Sequence, residues 1–150
     1  RLPDGTAAQP ATVARVVDGD TVVLDVGGDG AEHARLLGVD TPETVKPDHP
    51  VECFGPEAST RTAALLPAGT AVLVQRDAEA RDRYGRLLVY LWRRADGLFV
   101  NRALLADGYA RPLSIAPNTA RRAELSAASA GARARGAGLW GRCPPPSGSP

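Results

Sequence analysis

Between Ala11 and Val26 the chain is dense in β-branched residues, and glycine–aspartate clusters interrupt and then end this run. Val22, Leu24 and Val26 alternate with Thr21, Val23 and Asp25, the repeat of a strand with one buried face. Asp18-Gly19-Asp20 interrupts the run as a bend or bulge would. Gly27-Gly28-Asp29-Gly30 predicts a hairpin turn, and a further strand is expected from about Ala31 to Val39. The opening of the domain is therefore expected to be a three-stranded meander.

The rest of the chain alternates helices and strands. Gly55-Pro56-Glu57 predicts a helix start, with proline at the first helical position and an acid in the first turn. That helix is expected to reach about Leu66 and to stop at Pro67-Ala68-Gly69. Thr70 to Gln75 reads as a fourth strand. Arg86 to Arg94 reads as a fifth, with Leu88, Tyr90 and Trp92 on one face and Leu87, Val89 and Leu91 on the other. A short helix follows at about Phe99 to Ala106. A last helix is expected to open at Pro117-Asn118-Thr119, capped by Asn118 or Thr119, and to run to about Arg133. Residues 1–10 read as an irregular lead-in, 11–142 as one domain, and 143–150 as a Pro/Ser/Gly-rich tail. Five strands with a helix between the third and fourth have the order of an OB-fold. The expected class is α+β, a five-stranded OB-fold β-barrel with three α-helices. Such a fold does not by itself assign a function.

Composition narrows the function only by exclusion. The net charge is +1, so no global positive field advertises nucleic-acid binding. No window approaches the length of an apolar membrane span. Lys46 is the only lysine among 18 basic residues, a bias that fits a GC-rich genome better than selection for bidentate contacts. Cys53 and Cys143 are the two cysteines and form no CxxC pair, and His33 and His49 stand apart from them, which argues against zinc. A Cys53–Cys143 disulfide would pin the C-terminal tail and imply an oxidising compartment; two unrelated thiols are the alternative.

Three short stretches carry chemistry: Asp18-Gly19-Asp20-Thr21, Arg35 to Thr44 (RLLGVDTPET), and Asp82-Arg83-Tyr84-Gly85-Arg86. Carboxylate oxygens suit a hard divalent cation, and arginine forks suit a phosphate whose charge grows in a transition state. Arg35 stands in an otherwise apolar run, where a guanidinium needs a carboxylate or phosphate partner. The plain alternatives are turn aspartates and solvated arginines.

From about Ala11 to Trp140 the chain resembles the staphylococcal nuclease family. The resemblance is carried by those three stretches together with Gly55-Pro56-Glu57-Ala58 and Gly138-Leu139-Trp140. It implies a calcium-dependent phosphodiesterase that acts on DNA and RNA and leaves 3′-phosphate ends. It implies calcium ligation by Asp20, Asp40 and the Thr41 carbonyl, with Asp18 left as a turn residue. Glu43 matches the residue that orients or deprotonates the attacking water. Arg35 and Arg86 match the two catalytic arginines, and Arg83 and Tyr84 match contacts to a terminal nucleotide phosphate. His49 falls in a loop (residues 45–50) where a basic residue commonly touches substrate. With Arg86 and Pro117 aligned without gaps between them, Leu113 and Ile115 stand where the family's type member has base-facing tyrosines.

A silent OB module that binds nucleic acid and a protein-interaction barrel are the competing readings. Silent domains in the family typically lack the catalytic arginines and acids that this chain keeps. A monomer without membrane contact is expected. The missing methionine, the candidate disulfide and the resemblance together predict a secreted product whose leader has been removed.

Overall fold

The computed structural model describes residues 2, 4–27, 30–44 and 50–144. Its strands are β1 (Gln9–Asp18), β2 (Thr21–Asp25), β3 (Ala31–Leu36), β4 (Gly38–Asp40), β5 (Ala71–Gln75), β6 (Leu87–Arg93) and β7 (Arg111–Leu113). Its helices are α1 (Gly55–Leu65), α2 (Val100–Ala106), α3 (Arg122–Arg135) and α4 (Leu139–Arg142). Five strands close into a barrel in the order β1-β2-β3-β6-β5. All neighbours are antiparallel except β3 and β6, which run parallel. With α1 between the third and fourth barrel strands, this is an α+β OB-fold.

The parallel β3–β6 pair positions the site. Ala34 lies opposite Leu87, Arg35 opposite Leu88 and Leu36 opposite Val89. Successive side chains on a strand point to opposite faces. Ala34, Leu36, Leu87 and Val89 are therefore buried in the barrel, while Arg35 and Leu88 turn outward. Arg86, one residue before β6, shares that outward parity.

The strand expected from Ala31 to Val39 breaks at Leu37. The Leu37 N–H still donates to Val89 O at 2.9 Å, but Gly38 then takes φ +79° and the chain leaves the barrel. A Cβ at Gly38 would stand 2.4 Å from Leu125 Cδ1, so close packing as well as backbone conformation requires glycine there. The departing residues form β4, which pairs with β7 in a separate ribbon: Gly38↔Leu113, Val39↔Pro112, Asp40↔Arg111. No period-two pattern marks three-residue strands like these.

Three boundaries differ from expectation. β1 begins at Gln9, inside the supposed lead-in, because Gln9 and Pro10 pair with Val74 and Leu73 of β5. Leu2 is buried and Asp4 lies 3.1 Å from Arg121, so the lead-in packs on the barrel. Third, α3 opens at Arg122 rather than at Asn118 or Thr119. The Asn118 amide is already engaged with Glu79: its Nδ2 donates to Glu79 O at 3.1 Å and its Oδ1 accepts from Glu79 N at 2.7 Å. It cannot also cap a helix. The two faces of β6 are both buried from Val89 to Trp92, since Phe99 stacks on Trp92 with ring centroids 4.2 Å apart. Part of the glycine turn (28–29), the loop with Lys46 and His49, and tail residues 145–150 lie outside the described residues.

Candidate active site

β1 ends at Asp18 and the chain reverses through Gly19-Asp20 into β2. This turn is held from two sides. Thr62 of α1, fully buried, donates its hydroxyl to Gly19 O at 2.7 Å. The Asp18 Oδ1 accepts from Gly19 N at 2.8 Å and from Thr44 Oγ1 at 2.9 Å, tying the turn to the segment after β4. Asp18 thus organises the turn through Oδ1, and it is buried.

Asp20, Arg35, Asp40 and Thr41 converge. The Arg35 Nη1 lies 3.1 Å from Asp20 Oδ2, and its Nη2 lies 3.8 Å from Asp40 Oδ1. The same Nη1 donates to Val39 O at 2.9 Å. Thr41 N donates to Asp20 Oδ2 at 3.2 Å, and Thr41 Oγ1 is buried with no hydrogen-bond partner among the described residues. The Asp40 carboxylate is half exposed, at 55%. Partial burial pushes its pKa above the ordinary range; Arg35 opposes this, and the Asp20 and Glu52 carboxylates add to it. A place where neighbouring carboxylate charge adds to the proton affinity of Asp40 is equally a place for a cation.

The donor set fits a hard divalent ion. It is all oxygen, it holds two carboxylates within reach of one guanidinium, and it includes an orphaned buried hydroxyl. Among the described residues no three His, Cys, Asp or Glu side chains converge as a metal-binding group, so the remaining coordination would fall to backbone oxygen and water.

Glu43 follows two residues after Thr41 and is half-buried. Its N–H donates to Glu52 Oε1 at 2.7 Å, and its carbonyl accepts from Glu52 N at 2.9 Å. Glu52 escaped the sequence reading because nothing in an exposed loop glutamate marks it.

The second half of the site is built by Asp82. Its Oδ1 accepts from Tyr84 N and Arg86 N, at 2.9 and 3.0 Å, and its Oδ2 accepts from Arg86 Nε at 2.7 Å. Desolvation pushes the Asp82 carboxyl up, but hydrogen bonds from the Arg86 side chain and from the backbone outweigh it and hold the pKa below the ordinary range. Arg86 bonds Asp82 through Nε, so this contact does not occupy its two terminal nitrogens. Arg83 donates through Nη2 to the Tyr84 hydroxyl at 2.8 Å, and both Arg83 and Arg86 lie over the exposed Tyr84 ring, at 4.9 and 5.5 Å.

Arg35, Arg83, Tyr84 and Arg86 line one groove of about 530 Å³, which Leu113 and Ile115 also line. Arg35 therefore belongs both to the groove and to the acid pair. Leu113 and Ile115 are 38% and 63% exposed, an apolar wall without the flat rings on which bases stack. The double variant Leu113→Tyr/Ile115→Tyr is expected to bind a nucleoside 3′,5′-bisphosphate about tenfold more tightly, since one base stack is worth roughly 1–3 kcal/mol. Calorimetric titration of the two proteins checks this, and an unchanged affinity refutes it.

Cys53 and Cys143 form a disulfide, with their Cα atoms 5.8 Å apart across 90 residues of sequence. No helix among the described residues is long and apolar enough to cross a membrane.

Comparison with known proteins matches residues 33–142 to the family described as staphylococcal nuclease homologue. The thermonuclease of Staphylococcus intermedius is 41% identical over 130 residues, covering 87% of this chain and 75% of that protein. The thermonuclease of Staphylococcus hyicus is 42% identical over 110 residues, covering 73% of this chain and 63% of that protein. Endonuclease YncB of Bacillus subtilis is 40% identical over 109 residues, covering 72% of this chain and 50% of that protein.

Proposed function

We propose that this chain, which belongs to the staphylococcal nuclease family and is a nuclease-class hydrolase, cuts the phosphodiester bonds of DNA and RNA with calcium as cofactor and leaves 3′-phosphate ends. The observation that carries this reading is the double placement of Arg35, which touches Asp20 and Asp40 and also faces the groove it shares with Arg86.

Asp20, Asp40 and the Thr41 carbonyl would hold the calcium. Bound there, the ion would offset phosphate charge and raise the acidity of a coordinated water. Glu43 accepts or directs the proton of the attacking water. As the water oxygen bonds to phosphorus, the bond to the 5′ oxygen breaks, and that oxygen leaves as a hydroxyl after taking up a proton. Negative charge grows on the phosphoryl oxygens along the way. Arg35 on β3 and Arg86 just before β6 supply planar guanidinium donors where that charge develops. Arg83 and Tyr84, which line the same groove, would contact a terminal nucleotide phosphate.

The disulfide suits an oxidising, extracellular setting. The protein is expected to act as a monomer.

Incubation of plasmid DNA and of RNA with the protein and calcium should give complete degradation, and EDTA should stop it. Binding without cleavage would leave a silent OB module in its place. Activity with magnesium and none with calcium would overturn the cofactor assignment.

A further inference from the structure

We propose that Glu52 is a positioning residue for Glu43, and that the Cys53–Cys143 disulfide is the anchor that lets it act. Reduction of the disulfide would then lower turnover in protein that is still folded. The inference rests on the reading of Glu43 as the residue that handles the attacking water.

Glu43 and Glu52, nine residues apart in sequence, clasp each other. The Glu43 N–H donates to the Glu52 carboxylate at 2.7 Å, and the Glu52 N–H donates to the Glu43 carbonyl at 2.9 Å. Glu52 is exposed, so water competes for its carboxylate. Such a bond holds Glu43 only if the backbone of Glu52 is itself fixed.

That backbone is fixed by an unusual segment. Gly55 N donates to Glu52 O at 2.9 Å. Phe54, between them, takes the left-handed conformation at φ +70°, which costs a residue with a Cβ about 1 kcal/mol or more. Strained backbone persists where its surroundings over-determine it, and such places cluster at working sites. Here the Phe54 ring is buried against Tyr109, with centroids 5.4 Å apart, and Cys53 is covalently tied to Cys143. Cys143 follows α4, which is docked through Leu139: its side chain is buried and its N–H donates to Gly108 O at 2.8 Å. The start of α1 lies directly under the Glu43 segment, since a Cβ at Gly55 would stand 2.9 Å from Glu43 O and 2.7 Å from Thr44 Cγ2.

The disulfide is also at the site. Cys53, Cys143 and Glu52 share one cavity of about 270 Å³ with Asp40 and Thr41. A cross-link that served only global stability could join any two elements. This one is next in sequence to the residue that clasps Glu43, and it borders the acid pair. Reduction is a two-electron step: a dithiol such as dithiothreitol gives up two electrons and two protons, the S–S bond breaks, Cys53 and Cys143 become thiols, and the reagent closes to its own disulfide.

The test compares Glu52→Ala, Glu52→Gln, Cys53→Ser/Cys143→Ser and the dithiothreitol-reduced protein, at a temperature where circular dichroism shows each fully folded. For Glu52→Ala, kcat is expected to fall about tenfold, with KM within about twofold. Glu52→Gln keeps an acceptor oxygen and should recover most of that loss. The serine double variant and the reduced protein should lose kcat several-fold in the same pattern. In the calcium-free protein, amide exchange at Glu43 N–H should quicken in every form that loses turnover. On a Glu43→Ala background, Glu52→Ala should cost nothing further. If Glu43→Ala is impaired while Glu52→Ala and the cysteine variant keep full kcat, the positioning role is overturned and the family reading stands. Losses that track the unfolded fraction, or additive losses on the Glu43→Ala background, overturn it as well. Full turnover in Glu43→Ala would instead sink the reading of Glu43 itself.

Discussion

Arg86→Lys is expected to lower kcat about a thousandfold, with the fold intact. The charge survives the substitution, so the loss isolates what the guanidinium does beyond carrying charge. Asp82 grips Arg86 through Nε and leaves the terminal nitrogens for the groove. Lysine has one nitrogen and can satisfy either Asp82 or the phosphate, whereas the fork satisfies both. Arg35→Lys should fall at least as far. Arg35 also bonds the Val39 carbonyl and bridges Asp20 and Asp40, so the lysine loses alignment of the acid pair along with phosphate contact. Steady-state kinetics on a defined oligonucleotide, with circular dichroism as the folding control, decide both cases. Turnover within a few-fold of the parent for Arg86→Lys would remove it from the mechanism.

The second large effect is expected at Asp20. Asp20→Asn should weaken calcium binding at least about a thousandfold, because even two unit charges about 4 Å apart are worth about 4 kcal/mol at an effective dielectric constant of 20, and calcium is divalent. The neighbour makes the loss worse. Asp20 now neutralises Arg35 from 3.1 Å. Without that charge the guanidinium repels the incoming cation. The asparagine keeps an oxygen for the Thr41 N–H, so the local backbone contact survives and the variant should fold. Calorimetric titration with calcium measures the effect directly. Equal affinity in Asp20→Asn and the parent would show that the ion sits elsewhere.

Much of this protein is legible along the chain, and what is not legible has a common character. The alternation through Val22 and Leu24, the Gly55-Pro56-Glu57 helix start and the two-faced run from Leu87 to Trp92 announced a barrel with a helix, because each depends on neighbours a few residues away. The β4–β7 ribbon escaped notice. Two three-residue strands are too short to carry a period, and they pair residues such as Asp40 and Arg111 that lie far apart in sequence. Asn118 looked like a cap because capping is a local habit of asparagine. A partner at Glu79 claimed its amide instead. Among the functional residues, Arg35 could be singled out because a charge in an apolar run must have a partner. Glu52 could not, since an exposed glutamate between a loop and a cysteine has no signature until its carboxylate is seen on the Glu43 N–H.

The sequence by itself determined the residue chemistry: acids and arginines in three compact stretches, the chemistry from which a cation site facing a phosphate is proposed. Only the tertiary structure decided how those stretches meet. The parallel alignment of β3 with β6 sets Arg35 beside Leu88 and so brings Arg86 to the same face, and Cys53, next to the Glu52 that clasps Glu43, is joined to a cysteine 90 residues away. The reason is physical. Periodicity and capping are short-range properties of the backbone, whereas register between distant strands and the closure of long loops are settled by packing of the whole domain.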